Sequence, residues 1–253
     1  MAVALSTLVS HCSKELNSDS FDDYCPNGLQ VQGKGRVQKL AAAVTANQSV
    51  LDEAVDWGAD ALLVHHGYFW RGEAQPIVAM KRRRLGTLLG ADMSLLAYHL
   101  PLDAHPVLGN NARFGSLLGI QSPAPLAPGD ARAVGNIGTL PAPVTLATLS
   151  ESVHALTSRV PQLIGSESRV VSRIAWCTGA AQGYLEQAAA CGADVYISGE
   201  ISEPTVHASR ELDIAYLAAG HHATERYGVQ ALAAALAGEF DLEWTFIDCD
   251  NPV

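Results

Sequence analysis

Residues 44–66 have the sequence VTANQSVLDEAVDWGADALLVHH, and residues 178–200 have the sequence TGAAQGYLEQAAACGADVYISGE. The tripeptide Gly-Ala-Asp occurs at the same point of both stretches, at 58–60 and at 192–194. Each stretch predicts a helix that ends at the glycine and is followed by a short, buried strand. The two stretches therefore predict an internal repeat, which would decide the architecture of the whole chain.

Apolar runs at 40–44 and 174–177 come before the two helices and predict a further strand in each half. A second helix and a third strand follow each copy, at 79–89 and 95–98 in the first half and at 204–211 and 214–217 in the second. The pattern predicts an α/β fold with two similar lobes, each with a mainly parallel central sheet flanked by helices. Right-handed crossovers would then place the carboxyl ends of these strands at one edge of each sheet.

The segment 121–130, QSPAPLAPGD, is rich in proline and predicts a linker or long loop. We therefore divide the chain into a first lobe, 1–125, and a second lobe, 126–253. The final helix and strand could pack across onto the first lobe. After the linker, the sequence predicts a strand, a turn and a helix that begins near Thr145 or Thr148.

Composition excludes several classes of protein. The 253 residues are 48% hydrophobic and 17% charged, which rules out a disordered or fibrous chain. The apolar runs are too short for a membrane span, and the first residues lack the basic region of a signal peptide, so we expect a cytoplasmic protein. The net charge of −10 disfavours nonspecific binding of nucleic acid. Five widely spaced cysteines without a CxxC motif indicate reduced thiols.

Polar side chains follow four of the predicted strands, where open α/β sheets bind ligands. Five of them could bind a metal: His65 and His66 before a glycine, Asp103 in the segment 99–106, and the pair His221 and Glu225. Glu200 in the second repeat could orient such a ligand. His221 and Glu225 are four residues apart and would share one face of a helix, whereas His222 would point about 100° away.

Each cluster also has a simpler interpretation. The two histidines could be unrelated, Asp103 could cap a helix, Glu200 could be solvated, and His221 with Glu225 could be an exposed pair on a first turn. Together, however, five such side chains exceed what one divalent ion needs. Two ions with shared carboxylates could use all five, and mixed imidazole and carboxylate ligands suit zinc, manganese, iron, cobalt or nickel.

Several motifs resemble the dinuclear-metal-centre family, called Nif-three-like, whose members are often labelled GTP cyclohydrolase type 2 homologues. The resemblance covers nearly the full chain and rests on five segments. They are PNGLQVQG (26–33), VHHGYFWRG (64–72), YHLPLDAHPVLGNN (98–111), ISGEISEPTVHASRE (197–211) and AAGHHATERYG (218–228).

The resemblance implies a two-metal site made by His65, His66, Asp103, His221 and Glu225, which are the five residues chosen above. It also implies two similar lobes and, for short bacterial members, a ring-shaped homohexamer. A cyclohydrolase activity on a purine nucleotide is suggested only by the family label. The chain has no GxxxxGK phosphate loop.

Two classes of function follow. The first is a metal-dependent hydrolase with a small-molecule substrate that is purine-like, phosphorylated or peptide-like, in which Glu200 or His207 moves protons or orients a ligand. The alternative is a non-enzymatic metal-binding protein or a ring-shaped scaffold. A nucleic-acid-binding ring is disfavoured by the net charge. If the metal ligands come from both lobes, the site lies in the cleft between them.

Overall fold

The computed structural model describes residues 2–130 and 132–253. The chain divides into two compact units, of which the first contains the residues up to Leu102 together with Gly228–Asp250. The second contains Asp103–Tyr227 and Asn251–Val253. Residues 103–125 thus lie in the second unit, while the final strand and nearly all of the final helix lie in the first. The division into lobes 1–125 and 126–253 stays a prediction.

The first unit contains most of the elements predicted for the first half of the chain. In chain order they are β1 (Val3–Ala4), α1 (Leu5–Glu15), a 3₁₀ turn (Ser18–Ser20), β2 (Gly28–Val31), β3 (Arg36–Val37), β4 (Lys39–Thr45), α2 (Gln48–Trp57), β5 (Ala61–His66), α3 (Ala79–Gly90) and β6 (Ser94–Ala97). The helix α4 (Leu100–Ala104) follows, with Leu100–Leu102 assigned to this unit and its last two residues to the second. The last two elements of the chain, α10 (Arg226–Phe240) and β13 (Glu243–Phe246), complete this unit.

Five of these strands form one sheet in the order β13-β4-β5-β6-β2. β13, β4, β5 and β6 pair in parallel, and β2 pairs antiparallel with β6. The central strands are apolar along most of their length because both faces of the sheet are covered, and their side chains are almost fully buried. The predicted parallel sheet is confirmed in this unit.

The first repeated helix and the strand after it are held by short-range hydrogen bonds. Asn47 caps α2, where its side-chain oxygen accepts a hydrogen bond from the backbone N–H of Val50 at 3.0 Å. The helix ends at Gly58, whose φ of 80° suits glycine. Asp60 then accepts hydrogen bonds from the backbone N–H groups of Gln38 and Lys39 at 2.9 and 3.0 Å. These bonds join the start of β4 to the residue that precedes β5.

The second unit contains the remaining elements. In chain order they are α5 (Asn110–Leu117), β7 (Gln121–Pro125), β8 (Asn136–Thr145), α6 (Leu146–Thr157), β9 (Gln162–Ile164), β10 (Val170–Cys177), a 3₁₀ turn (Gln182–Tyr184), α7 (Leu185–Ala190), β11 (Val195–Ser198), α8 (Glu203–Glu211), β12 (Ala215–Ala218) and α9 (His221–Thr224). Thr145 caps α6, where its hydroxyl accepts from the N–H of Thr148, so the predicted helix start is confirmed.

The sheet of this unit has the order β7-β8-β10-β11-β12-β9. β10, β11 and β12 pair in parallel as predicted, whereas β7, β8 and β9 pair antiparallel with their neighbours. A mainly parallel second sheet was therefore a wrong expectation, because antiparallel strands are added at both sides of the parallel core. The fold is a mixed α/β fold.

The Gly-Ala-Asp tripeptide makes the same contacts in the second unit as in the first. Asp194 accepts hydrogen bonds from the backbone N–H groups of Ser172 and Arg173, both at 2.8 Å. Both units therefore contain a strand–helix–strand–helix–strand segment with parallel pairing and an aspartate that joins its first two strands. This agreement supports the proposal that the two segments are equivalent copies.

The proline-rich segment 121–130 is not only a connection, as the sequence suggested. Its first half is β7, an exposed strand that pairs antiparallel with β8. Proline lacks the N–H that a central strand needs, but an edge strand has a side without a partner strand, where proline is tolerated. Among the helices of residues 2–130 and 132–253, none combines the length and the apolar character that a membrane span needs.

We predict that Asp60→Asn lowers the free energy of unfolding by about 1–3 kcal/mol at neutral pH, because a charged acceptor of backbone hydrogen bonds is lost. Burial raises the pKa of Asp60, but hydrogen bonds from Gln38, Lys39 and Lys34 outweigh it and lower the pKa below its usual value. The contribution of Asp60 is therefore complete above the pKa of the unfolded chain and is lost as the pH falls through the folded pKa.

Urea unfolding at neutral pH and below about pH 3 measures the difference in free energy of unfolding between wild type and Asp60→Asn. The gap between wild type and Asp60→Asn should shrink at the lower pH. The control is Asp56→Asn, because Asp56 is an exposed aspartate on α2 of the same unit. An equal gap at both pH values would contradict the assigned role.

Candidate metal centre

Three histidines cluster at the carboxyl edge of the first unit's sheet. His65 and His66 end β5, and His99 follows β6, which pairs in parallel with β5. The ring centroids of His65 and His66 are 4.6 Å apart, and those of His65 and His99 are 5.0 Å apart. One nitrogen of each of the three rings lies within 4.8 Å of the others, which is close enough for a shared metal ion. The two adjacent histidines thus present nitrogens to one place, although regular strand geometry would separate them.

Hydrogen bonds fix the ring orientation of the two predicted histidines. His65 is fully buried, and its Nδ1 lies 3.0 Å from the carbonyl oxygen of Tyr98. Because a carbonyl only accepts, the Nδ1 of neutral His65 carries the proton and Nε2 keeps its lone pair. Metal-binding histidines commonly have this arrangement. The Nδ1 of His66 lies 3.1 Å from the hydroxyl of Thr45 on the neighbouring strand β4.

His99 and Asp23 are the residues of this cluster that sequence reasoning missed. The ring Nδ1 of His99 donates to Asp23 at 2.7 Å, and its backbone N–H donates to the side-chain oxygen of Asn27 at 2.8 Å. Asp23 also accepts from Asn27 and from the backbone N–H groups of Tyr24 and Leu100. Burial raises the pKa of Asp23, but the hydrogen bond and charge of His99 and the other donors outweigh it and lower the pKa.

In the second unit, Asp103 is a buried carboxylate on α4. Its Oδ1 accepts a hydrogen bond from the side-chain amide of Asn110 at 2.9 Å. Asn111 donates to the backbone carbonyl of Asp103 at 3.3 Å and accepts from the N–H of Thr178 at 3.0 Å. The asparagine pair at the start of α5 therefore fixes Asp103 relative to the end of β10. The alternative role for Asp103 was to cap the next helix. The contact with the side chain of Asn110 is not a helix cap, because a cap accepts from a backbone N–H.

His221, Glu225 and Glu200 meet at the carboxyl edge of the second sheet. The Nδ1 of His221 lies 2.6 Å from Glu200, and its Nε2 lies 3.1 Å from Glu225. Glu225 is almost fully buried, with 3% of its side chain exposed. Burial lowers the pKa of His221, but the hydrogen bonds and charges of Glu225 and Glu200 outweigh it and raise the pKa to about 9. Two carboxylates thus share one imidazolium.

The predicted continuous helix from His221 through Glu225 is not formed. Helix α9 ends at Thr224 and α10 begins at Arg226, so Glu225 lies at a break between two helices. The break does not separate His221 from Glu225, whose side chains still form an ion pair. His222 is buried, and its backbone N–H donates to the carbonyl of Val253.

The two other residues proposed for proton transfer have different surroundings. Glu200 contacts His221 directly, and its backbone carbonyl accepts a hydrogen bond from the hydroxyl of Tyr216 at 2.5 Å. His207 lies on α8 with 60% of its side chain exposed and pairs with Glu203 at 2.8 Å. Of the two, Glu200 is the one that the fold places beside the other candidate residues of this unit.

Known proteins match nearly the whole chain. The family model described as Duf34/NIF3 (NGG1p interacting factor 3) matches residues 3–252. A Pseudomonas aeruginosa protein called GTP cyclohydrolase 1 type 2 homolog is 52% identical over 252 residues and is covered completely, as is this chain. A solved structure titled protein ybgI, unknown function, is 47% identical with a TM-score of 0.93, over 99% of this chain and 100% of that one. A solved Thermus thermophilus protein, TTHA1606, is 34% identical with a TM-score of 0.90 and the same coverage.

We predict that Gly179→Ala destabilises the protein, because Gly179 has a φ of 73° and a Cβ there would lie 2.1 Å from Oε1 of Glu225. The left-handed backbone alone costs a non-glycine residue about 1–2 kcal/mol. The variant should therefore show a lower midpoint of thermal unfolding. Gly183→Ala is the matched control, because a Cβ at Gly183 meets no heavy atom within 4 Å. Equal midpoints for the two variants would contradict the predicted destabilisation by Gly179→Ala.

Proposed function

Because the chain belongs to the Duf34/NIF3 family, we propose that it is a metal-dependent hydrolase that binds two divalent metal ions. The proposed ligands are His65, His66, Asp103, His221 and Glu225. The observation that carries the proposal is the orientation of the histidines: His65 turns Nδ1 to a carbonyl and His221 turns Nδ1 to a carboxylate. Both contacts are of the kind that orients metal-binding histidines.

The donor set fits divalent transition metals. Imidazole nitrogens and carboxylate oxygens together suit zinc, manganese, iron, cobalt and nickel. When bound, such ions would lower the pKa of water and polarise a substrate oxygen. The protein's own part is to hold the ligands: Tyr98 orients His65, Asn110 orients Asp103, and Glu200 orients His221.

Glu200 is the better candidate of the two proton-transfer residues. Its carboxylate already shares a hydrogen bond with His221, so it can accept or return a proton at Nδ1 while it orients the ring. His207 is a weaker candidate, because its ring is exposed and pairs with Glu203 on its own helix. The name of the relatives, GTP cyclohydrolase 1 type 2 homolog, suggests a purine nucleotide as the substrate. Phosphorylated and peptide-like substrates are the alternatives.

A non-enzymatic scaffold is the second candidate function, and an exposed apolar segment favours it. Ile77, Val78 and Met80 lie beside one another in the chain and are each more than half exposed. Exposed apolar surface of this kind is typical of protein interfaces. We propose that this segment contributes to a ring-shaped homohexamer in the cytoplasm, with the ring supported by the resemblance to short bacterial members. A measured mass of one chain in solution would exclude the ring.

We predict that the protein binds two equivalents of divalent metal after reconstitution, because five side chains exceed the needs of one ion. Elemental analysis after gel filtration measures the content. Metal that binds only the folded state should also raise the thermal midpoint, and chelation should lower it again. A well-folded sample with one equivalent or none would refute the dinuclear proposal.

We predict further that His221→Ala and Glu225→Ala each lose metal, whereas His222→Ala keeps it. His221 and Glu225 contact each other. His222 is the matched control, since it is a neighbouring buried histidine outside the proposed ligand set. Metal content is measured together with hydrolysis of nucleotides, phosphoesters and peptides. Any turnover should disappear in Glu225→Ala and on chelation. If His222→Ala alone emptied the site, the assignment of ligands would be wrong.

A further inference from the structure

A pocket in the first unit lies outside the proposed ligand set. It has a volume of about 470 Å³ and is formed by residues of the segment 18–27 with Phe69 and Arg71. Ligand pockets of proteins typically measure about 300–1,000 Å³. Its size is therefore sufficient for a heterocyclic ring with a small substituent.

The charges of the pocket favour a ligand that donates hydrogen bonds. Asp19, Asp22 and Asp23 line it, against the single guanidinium of Arg71. That guanidinium is largely engaged by protein, since its Nη2 donates to Asp22 at 2.7 Å and to the carbonyl of Asp23 at 2.9 Å. A phosphate group would meet an excess of negative charge here. Amino and ring N–H groups would meet acceptors instead.

Three aromatic side chains also line the pocket. Phe21, Tyr24 and Phe69 line it, and 58% of Tyr24 is exposed. Phe69 has a φ of 65°, a conformation that bulky side chains rarely adopt, and it follows the histidine pair by three residues. Planar rings stack favourably on such side chains. The pocket therefore combines flat apolar surfaces with carboxylates.

Asp23 connects this pocket with the histidine cluster. Its carboxylate lines the pocket and also accepts the hydrogen bond from the ring of His99. His99 in turn lies beside His65 and His66, and its ring centroid is 6.3 Å from that of Tyr24. A ring bound against Tyr24 would thus lie next to the candidate metal ligands of this unit.

We propose that this pocket binds a planar, amino-substituted nitrogen heterocycle and selects the substrate through its amino group. This inference rests on the proposed function, because it takes the occupant to be the substrate of that site. Tyr24 would stack on the ring, and Asp19 would accept from its amino group. Asp23 would hold the ring of His99 beside the pocket wall.

The test is calorimetric titration of the full chain, metal-loaded and chelated, with two pairs of nucleosides. Cytidine and guanosine carry an exocyclic amino group, and uridine and inosine lack it. We expect cytidine and guanosine to bind about tenfold more tightly than their partners, because their exocyclic amino group donates a charge-assisted hydrogen bond to Asp19 that the analogues lack. Tyr24→Ala should weaken binding about tenfold, and Asp19→Asn should remove the preference for the amino group.

The matched controls are Tyr184→Ala, an exposed tyrosine of the second unit, and Asp56→Asn, an exposed aspartate of the first. Both should bind like wild type, and all four variants should keep their metal content. Equal affinities within each nucleoside pair, or unchanged binding in both Tyr24→Ala and Asp19→Asn, would overturn the pocket assignment. Nucleoside binding without any metal content would support the pocket and refute the dinuclear function, so the two failures are distinguishable.

Discussion

Parallel pairing of three consecutive strands within each unit is the constraint on which the other features depend. β4, β5 and β6 in the first unit and β10, β11 and β12 in the second are joined by crossover helices, so their carboxyl ends lie at one edge of each sheet. His65 and His66 end a strand of the first set and His99 follows another, and Glu200 and His221 follow strands of the second. Residues distant in sequence therefore become neighbours because the strands that carry them are paired.

Hydrogen bonds and ion pairs then fix the orientation of these neighbouring side chains. A carbonyl fixes the ring of His65, an amide fixes Asp103, and two carboxylates share His221. Glu200 is itself anchored, because its backbone carbonyl accepts a hydrogen bond from the hydroxyl of Tyr216. Such support reduces the reorganisation needed when a ligand binds, because the donor atoms are already held in place.

The sequence predicted the parts of the fold that depend on local pattern. Helix ends at glycine, apolar strands and the repeated Gly-Ala-Asp tripeptide were recognisable, because each is determined by neighbouring residues. Asp23 and His99 were missed because their contact joins a loop near the amino terminus to the end of β6, and no periodicity connects them. Strand β7 was missed because proline suggests a loop wherever the partner strand is unknown. The break at Glu225 was missed because four-residue spacing predicts a helix whether or not the backbone is continuous.

The second unit contains several buried carboxylates whose burial does not favour stability. Glu225 and Asp103 are buried, and Glu200 is about two-thirds buried, while His221 is the cation that contacts both glutamates. Burying a carboxylate costs free energy that an ion pair only partly recovers, and an apolar cluster of the same volume is often as stable. Residues retained at such a cost are typical of functional sites. A divalent cation that replaced the proton at Nε2 of His221 would supply the balancing charge for these carboxylates, which supports the metal site proposed for this unit.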